Sequence, residues 1–310
     1  MSDYKYSIII PHKNIPSLLQ RCLDSIPKRD DIQIIIVDDN SDSTIVDFEH
    51  FPGLGLTNTE VYFDKTGRGA GKARNVGLEH AQGEWVLFAD ADDAFNKDEL
   101  SILLSIAEMS NYSLIFWGVF RILSTGEKVV YANCEKTSHK IVQLLDSSYP
   151  FKVNEPWRKM VRLSHIKNND LLFEETLVSN DIMFSLRLAA CTSISMIGFY
   201  NGYIYNWIQR KNSLVDSLSL KNSICRMNVS IRANAFLKKC KIEHSDYSHI
   251  YLHRIKNKSL LLFCYYFIKE LIILGKRKAM IDFGQVCDLD MIGHNLKSFI
   301  SFNIKRNFHS

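Results

Sequence analysis

Three carboxylates, Asp90, Asp92 and Asp93, close the apolar run Trp85-Val-Leu-Phe-Ala-Asp-Ala-Asp-Asp-Ala-Phe95. The run is short enough to be a buried strand, so the charges fall at its C-terminal end. Crowded carboxylates repel one another and resist desolvation, so they persist there only if water, a cation or a donor-rich ligand satisfies them. A hard divalent cation, Mg2+ or Mn2+, is the natural partner, because it takes one or two protein carboxylates together with the oxygens of a bound diphosphate. The competing account is an Asp-rich turn capping the helix that starts near Lys97. A second acidic pair, Asp38-Asp39, ends the apolar run Ile32 to Val37. Between the two clusters lies Lys65-Thr-Gly-Arg-Gly-Ala-Gly-Lys-Ala-Arg-Asn-Val-Gly77, glycine-rich and basic through Arg68, Lys72 and Arg74. Glycines there would let backbone N–H groups approach a phosphate at a helix N-terminus. The stretch lacks the terminal Gly-Lys-Ser/Thr of a P-loop. A dinucleotide fingerprint would follow the first strand, where Pro11-His-Lys-Asn-Ile-Pro16 stands instead.

The elements that must position these residues read as a βαβ unit. Tyr6 to Ile10 is a β-branched run ended by Pro11, Leu18, Leu19, Cys22, Leu23 and Ile26 fall at helical spacing, and Ile32 to Val37 is apolar on both faces. A strand of that kind belongs in a parallel sheet covered on both sides. Ligands bind such sheets outside the carboxyl ends of the strands, which places both acidic clusters on one rim. Further along, Ala73 to Ala81 and Leu100 to Ala107 read as helices, Ser113 to Phe120 as a strand with Val129 to Tyr131 beside it, and Tyr203 to Ile208 as an alternating strand. Arg226 to Cys240, Ile250 to Leu274 and Ala279 to Val286 read as helices. The middle one contains a stretch, Leu260 to Ile268, that is apolar all round, as in a bundle core or at a membrane interface.

The chain of 310 residues has a net charge of only +4, which hides an asymmetry. Residues 221–310 carry 16 Lys and Arg against 6 Asp and Glu, a net of +10, and residues 1–220 carry 22 against 28, a net of −6. A basic rear suggests an anionic partner. The seven cysteines are scattered without CxxC spacing, and the histidines show no ligand spacing, so neither a disulfide frame nor a zinc site is indicated. No leader precedes the first strand and no segment approaches the roughly 20 apolar residues that span a bilayer, so a cytoplasmic protein is expected, peripheral on the inner face of the cell membrane if its basic rear engages lipid.

Four motifs in order, Ser7-Ile-Ile-Ile-Pro11 with Asn14, Ile35-Ile-Val-Asp-Asp-Asn-Ser41, Gly71-x-Ala-Arg-Asn-x-Gly77 and Gly83-Glu-Trp-Val-Leu-Phe-Ala-Asp-Ala-Asp-Asp93, resemble the nucleotide-sugar half of glycosyltransferase family 2. The resemblance implies a GT-A fold, a Rossmann-like mixed, mainly parallel α/β sheet flanked by helices, and metal-dependent, inverting sugar transfer from a UDP-sugar to a saccharide in capsule, O-antigen or lipo-oligosaccharide assembly. It implies that Pro11, Asn14 and Asp39 lie around the base, with Asp39 accepting from a ring N–H. By the same similarity Arg74 holds the nucleotide with Arg68 and Lys72 nearby, Asp90 faces the ribose, and Asp92 with Asp93 positions Mn2+ or Mg2+ on the diphosphate. The family's base sits in a Glu-Asp pair ahead of a helix. The matching pair here is Asn180-Asp181, so the role falls to Asp181, with Glu174 or Glu175 as alternatives if the register shifts, and with plain helix capping as the non-catalytic account. Arg210, in a basic turn after the last strand, is the residue that would close over diphosphate or acceptor, and Trp157 with Trp207 would offer a stacking platform.

The expected organisation is therefore a catalytic domain over 1–219 and a basic helical module over 220–310. The expected partners are a nucleotide-sugar donor, a saccharide acceptor with or without a lipid carrier, and, for the rear module, an anionic membrane surface or a second copy of the chain, with no nucleic acid. A sugar-phosphate nucleotidylyltransferase and a non-catalytic nucleotide-sugar-binding scaffold are the alternatives.

Overall fold

A computed structural model describes residues 4–131, 147–210, 219–242 and 248–286. The chain divides into two compact units, residues 1–215 and 216–310. The first is built on a nine-stranded sheet of order β3-β2-β1-β4-β8-β6-β9-β5, with β7 paired to β6. Its front comprises β1 (Tyr6–His12), β2 (Ile32–Asp39), β3 (Thr59–Asp64) and β4 (Trp85–Phe88), all parallel. Behind them β8 (Lys159–Arg162) enters antiparallel between β4 and β6 (Leu114–Ile122). β9 (Ile197–Ile208) runs parallel to β6 with a bulge at Gly118, while β5 (Ala94–Phe95) and β7 (Lys128–Val130) add antiparallel edges.

Side-chain alternation explains the unbroken apolar runs. In β1, Ile8 and Ile10 join the core that holds α1 (Pro16–Asp24) and α3 (Lys97–Glu108), through Leu19, Cys22, Leu100 and Leu103. Ile9 faces the opposite core with Ala73 and Leu78 of α2 (Ala70–His80), Ile166 of α4 (Leu163–Asn168) and Phe184 and Leu188 of α5 (Ile182–Cys191). Helices on both faces leave no polar side for these strands, and burying each Ile contributes roughly 1.5–3 kcal/mol. Because β1, β2 and β4 are parallel neighbours, the segments after His12, Asp39 and Phe88 leave the sheet at one edge.

The second unit contains α6 (Leu220–Lys239), α7 (Ser248–Lys256), α8 (Leu260–Ile273) and a helical stretch over 276–286. The expected single helix from Ile250 to Leu274 is broken at 257–259. Ser259 starts a new helix by accepting from the Leu262 N–H at 3.3 Å, a local cap that outweighs continuation. Nor is α8 buried all round: Phe263, Tyr266 and Glu270 are its buried residues, and the two rings pack with Met227, Ile231, Leu252 and Ile255. Among the described residues no helix is long and apolar enough to cross a membrane.

Candidate active site at the carboxyl edge of the sheet

The end of β2 is held by a closed network. His12 Nδ1 donates to Asp38 Oδ1 at 2.7 Å, and its Nε2 accepts the Ile15 N–H at 3.1 Å, which fixes the neutral tautomer. Ser41 donates its hydroxyl and its N–H to the two Asp38 oxygens at 2.5 and 2.9 Å. Burial alone would raise the Asp38 carboxyl, but the bonds from His12 and Ser41 outweigh it and hold the group below the usual carboxylate range. Asn14, at a positive φ of 57°, ties the same two loops together through Ser41 and Asp42. Pro11 is buried in β1 opposite Val37. Asp39 is 4% exposed and accepts from the Gly69 N–H at 2.8 Å and from Lys13 at 3.1 Å.

Gly69 leads into α2, which spans from one acidic cluster to the other. Arg74, one turn into this helix, donates to Asp90 at 2.6 Å and to Asn180 at 2.8 Å, and its guanidinium lies 5.3 Å from the Phe173 ring centroid. Two glycines of α2 are required by packing. A Cβ on Gly71 would sit 2.2 Å from the Glu174 carbonyl oxygen and 2.9 Å from the Asn180 Cβ, and one on Gly77 would strike Ile9 at 2.3 Å. These glycines press α2 against β1 and against the segment that leads to Asp181. Arg68 is ion-paired with Glu175 in that segment, and Lys72 is half-buried in the first turn of α2.

At the end of β4 the acidic groups converge. One oxygen from each of Asp90, Asp92 and Asp93 lies within 4.8 Å of the others. Asp90 is paired with Arg74 and Asp92 with Arg210. Asp93, almost fully buried, accepts from the Tyr205 hydroxyl at 3.0 Å and the Ile208 N–H at 2.8 Å, while the Asp90 N–H donates to Tyr205 at 2.9 Å. Burial raises the Asp90 carboxyl despite Arg74, and burial followed by the charges of Asp90 and Asp92 pushes Asp93 well above the usual range. Arg74 and Arg210 thus pair with two of the three carboxylates, Asp93 pairs with neither, and Arg21 donates to the Asp92 backbone carbonyl. Hard carboxylate oxygens this close together fit Mg2+ or Mn2+, with Asp90 and Asp92 part-exposed and Asp93 buried and held by β9.

Asp181 occupies the N-cap position of α5, yet its side chain makes no capping hydrogen bond. The capping account thus leaves its carboxylate without that use. Ser179, at a positive φ of 58°, turns the chain so that Asn180 meets Arg74 and Asp181 follows it. Burial pushes the Asp181 carboxyl up to about 6, against the pull of Arg74 and with further elevation from Glu155 and Asp90. Of the two alternatives, Glu175 pairs with Arg68, while the backbone of Glu174 bonds Asn180 and abuts Gly71.

Lys159, not singled out in the sequence, is fully buried in β8. It donates to the Val153 carbonyl at 2.6 Å and to Ser185 of α5 at 2.8 Å. Burial lowers its ammonium to about 7, partly offset by Glu155 and Asp181. Within Trp157-Arg-Lys-Met-Val161 nothing local distinguishes Lys159 from its neighbour Arg158. Tyr205 was likewise visible only as one member of an alternating strand. Trp157 is no platform: it stacks on buried Tyr205 with centroids 5.1 Å apart, inside the core. Trp207 is half-buried beside Tyr131 and beneath Arg121.

Residues 7–160 match the profile of Glycosyl transferase family 2. The poly(ribitol-phosphate) beta-N-acetylglucosaminyltransferase TarS of Staphylococcus aureus is 28% identical over 190 residues, covering 59% of this chain and 32% of its own length. The chain thus spans about a third of that relative. A cholesterol galactosyltransferase of Borreliella burgdorferi is 23% identical over 296 residues, covering 90% of this chain and 82% of that protein. Among solved structures, residues 1–349 of S. aureus TarS in complex with UDP-GlcNAc superpose with a TM-score of 0.61 at 20% identity, covering 91% of this chain and 79% of that one, which identifies the GT-A fold. The ordered motifs at the sheet edge, the profile and the fold agree, and the chain belongs to glycosyl transferase family 2.

Proposed function

We propose that the protein is an inverting glycosyltransferase that moves a sugar from a UDP-sugar to a saccharide or lipid-borne hydroxyl in cell-surface glycan assembly. The observation that carries this reading is the position of Arg74 between two unlike acidic sites: it donates to Asp90 of the Asp90/Asp92/Asp93 cluster and to Asn180, the neighbour of Asp181, a carboxylate raised to about 6 and not used as a helix cap. In this reading Asp39, with Pro11 and Asn14 beside it, receives the base and Asp90 the ribose. Asp92, with Asp93 behind it, holds Mn2+ or Mg2+, which when bound stabilises negative charge on the departing diphosphate. Arg74 and Lys72 add positive charge on the same side, and Arg210 flanks the diphosphate from the end of β9. Asp181 takes the proton from the acceptor hydroxyl as that oxygen attacks the anomeric carbon. A base with a value near 6 is ionised at neutral pH yet basic enough to accept it.

Lys159 and Ser185 position Asp181 by latching β8 to the first turn of α5. The ligand named for the solved relative makes UDP-GlcNAc the first donor to test. We extend the proposal to place: the protein works in the cytoplasm, on the inner face of the cell membrane. The nucleotidylyltransferase alternative wants a free basic loop after the first strand, whereas here His12 and Asn14 tie that loop to β2. The test is UDP release from a panel of UDP-sugars, with ribitol-phosphate polymer, sterol or oligosaccharide acceptors, with and without Mn2+. Release that needs both metal and acceptor supports the reading. Metal-dependent binding without release under any acceptor makes the protein a scaffold.

A further inference from the structure

The outer face of α8 carries Leu261, Tyr265, Ile268 and Ile272, at 82, 55, 54 and 78% exposure. Their spacing of four, three and four residues puts them in one stripe along the helix. The opposite face supplies Phe263 and Tyr266 to the core of the unit and buries Glu270, so the stripe is what remains outside. Met280 and Ile281, both 49% exposed, add apolar surface on the next helical stretch. From Ser248 to Val286 the sequence holds seven Lys and Arg but only two acids, Glu270 and Asp282, and both acids are 0% exposed. Lys258, Lys276 and Arg277 are exposed at the two ends of α8. The solvent-facing charge of this segment is therefore entirely positive.

We infer that α8 is an interfacial anchor, its Leu261/Tyr265/Ile268/Ile272 stripe seated in the headgroup region of an anionic bilayer and Lys258, Lys276 and Arg277 on the lipid phosphates. Charge selects this occupant. A second copy would set cationic ends against cationic ends around the apolar stripe, and like charges brought together oppose association. An anionic lipid surface satisfies both the apolar stripe and the cations beside it. With 14 residues α8 is about 21 Å long, short of the ~30 Å hydrocarbon core, so it lies along the surface and does not cross it. The inference deepens the membrane location proposed above and requires nothing of the donor chemistry.

The full chain should sediment with phosphatidylcholine vesicles containing phosphatidylglycerol and much less with phosphatidylcholine alone. Ile268→Glu/Ile272→Glu should weaken that binding about tenfold or more. Lys258→Gln, Lys276→Gln and Arg277→Gln should each weaken it about fivefold, with the salt sensitivity falling in step. All of these positions are exposed, so melting temperatures should be unchanged. Failure of the wild-type chain to bind anionic vesicles, or equal binding by the Ile268→Glu/Ile272→Glu variant, overturns the inference. So does a dimer in size-exclusion chromatography that this variant converts to monomer, which would assign the stripe to a second copy. UDP-sugar binding measured on the same samples separates this outcome from any failure of the donor site.

Discussion

The carboxyl edge of the sheet offers two acidic strand ends made of the same residue type and put to opposite uses. After β2, both Asp38 oxygens accept from fixed donors, His12 and Ser41, and the carboxyl is held below its usual range. After β4, three carboxylates share Arg74, Arg210, Tyr205 and one backbone N–H, and both Asp90 and Asp93 are raised. A saturated carboxylate builds a loop, and a crowded cluster of carboxylates offers oxygens to a cation. Neighbouring groups decide the matter: a histidine and a serine serve one carboxylate at the first site, and three carboxylates crowd together at the second.

Removing Asp181, which stands apart from both clusters, should give the largest effect. Asp181→Asn is expected to lower turnover by about 10²–10⁴ while leaving donor affinity intact, as read by UDP release and calorimetry. Normal turnover would move the base elsewhere. The same variant carries a stability signature. The folded value of about 6 lies above the ordinary 3.8, so the native state holds this proton more tightly, and the stability gained is complete below about pH 4 and lost as pH rises through 6. Asp181→Asn should therefore melt higher than wild type at pH 8, with the difference shrinking toward pH 4.

Next in size, Asp92→Ala should cost metal-dependent donor affinity at least about tenfold, or ~1.4 kcal/mol, with little change in melting temperature. Asp38→Asn should do the reverse. It breaks a buried network and costs about 1–3 kcal/mol of stability, seen in denaturant unfolding, with donor affinity retained once the protein is folded. If both substitutions destabilise alike and neither alters metal dependence, the contrast between the two strand ends fails. Gly71→Ala, which drives a methyl into the Glu174 carbonyl, should cost roughly 1–3 kcal/mol and shift the segment leading to Asp181, lowering turnover without changing metal affinity. The smallest effect is in the pH profile: turnover should fall toward the acid side with an inflection near 6, where Asp181 takes up its proton.

Much of the front unit was legible because its signals are local. Apolar runs such as Ile32 to Val37 can only be two-sided strands, and strand direction then puts Asp38, Asp39 and the Asp90 cluster on one edge. What the sequence hides is which donors meet each carboxylate, since these arrive from far along the chain: Tyr205 reaches Asp93 across 112 residues and Asn180 reaches Arg74 across 106. The glycine-rich stretch depends on distant contacts in the same way. Gly71 and Gly77 are required by close approaches to Glu174 and Ile9, contacts that exist only once the fold is made. In the rear unit the break at 257–259 is hidden because Ser259 is a weak local signal inside a helical pattern. Which face of α8 would remain outside could not be read from a run that is apolar all round.

The central claim is that the carboxylates after β4 grip a cation on the donor diphosphate while Asp39 receives the base. The most direct test is anomalous diffraction from crystals grown with UDP and Mn2+. The account predicts a manganese peak coordinated by Asp92 and by diphosphate oxygens, with the uracil ring beside Asp39. A nucleotide bound away from this edge, or a manganese peak with no carboxylate from Asp90, Asp92 or Asp93 in its coordination sphere, would contradict it.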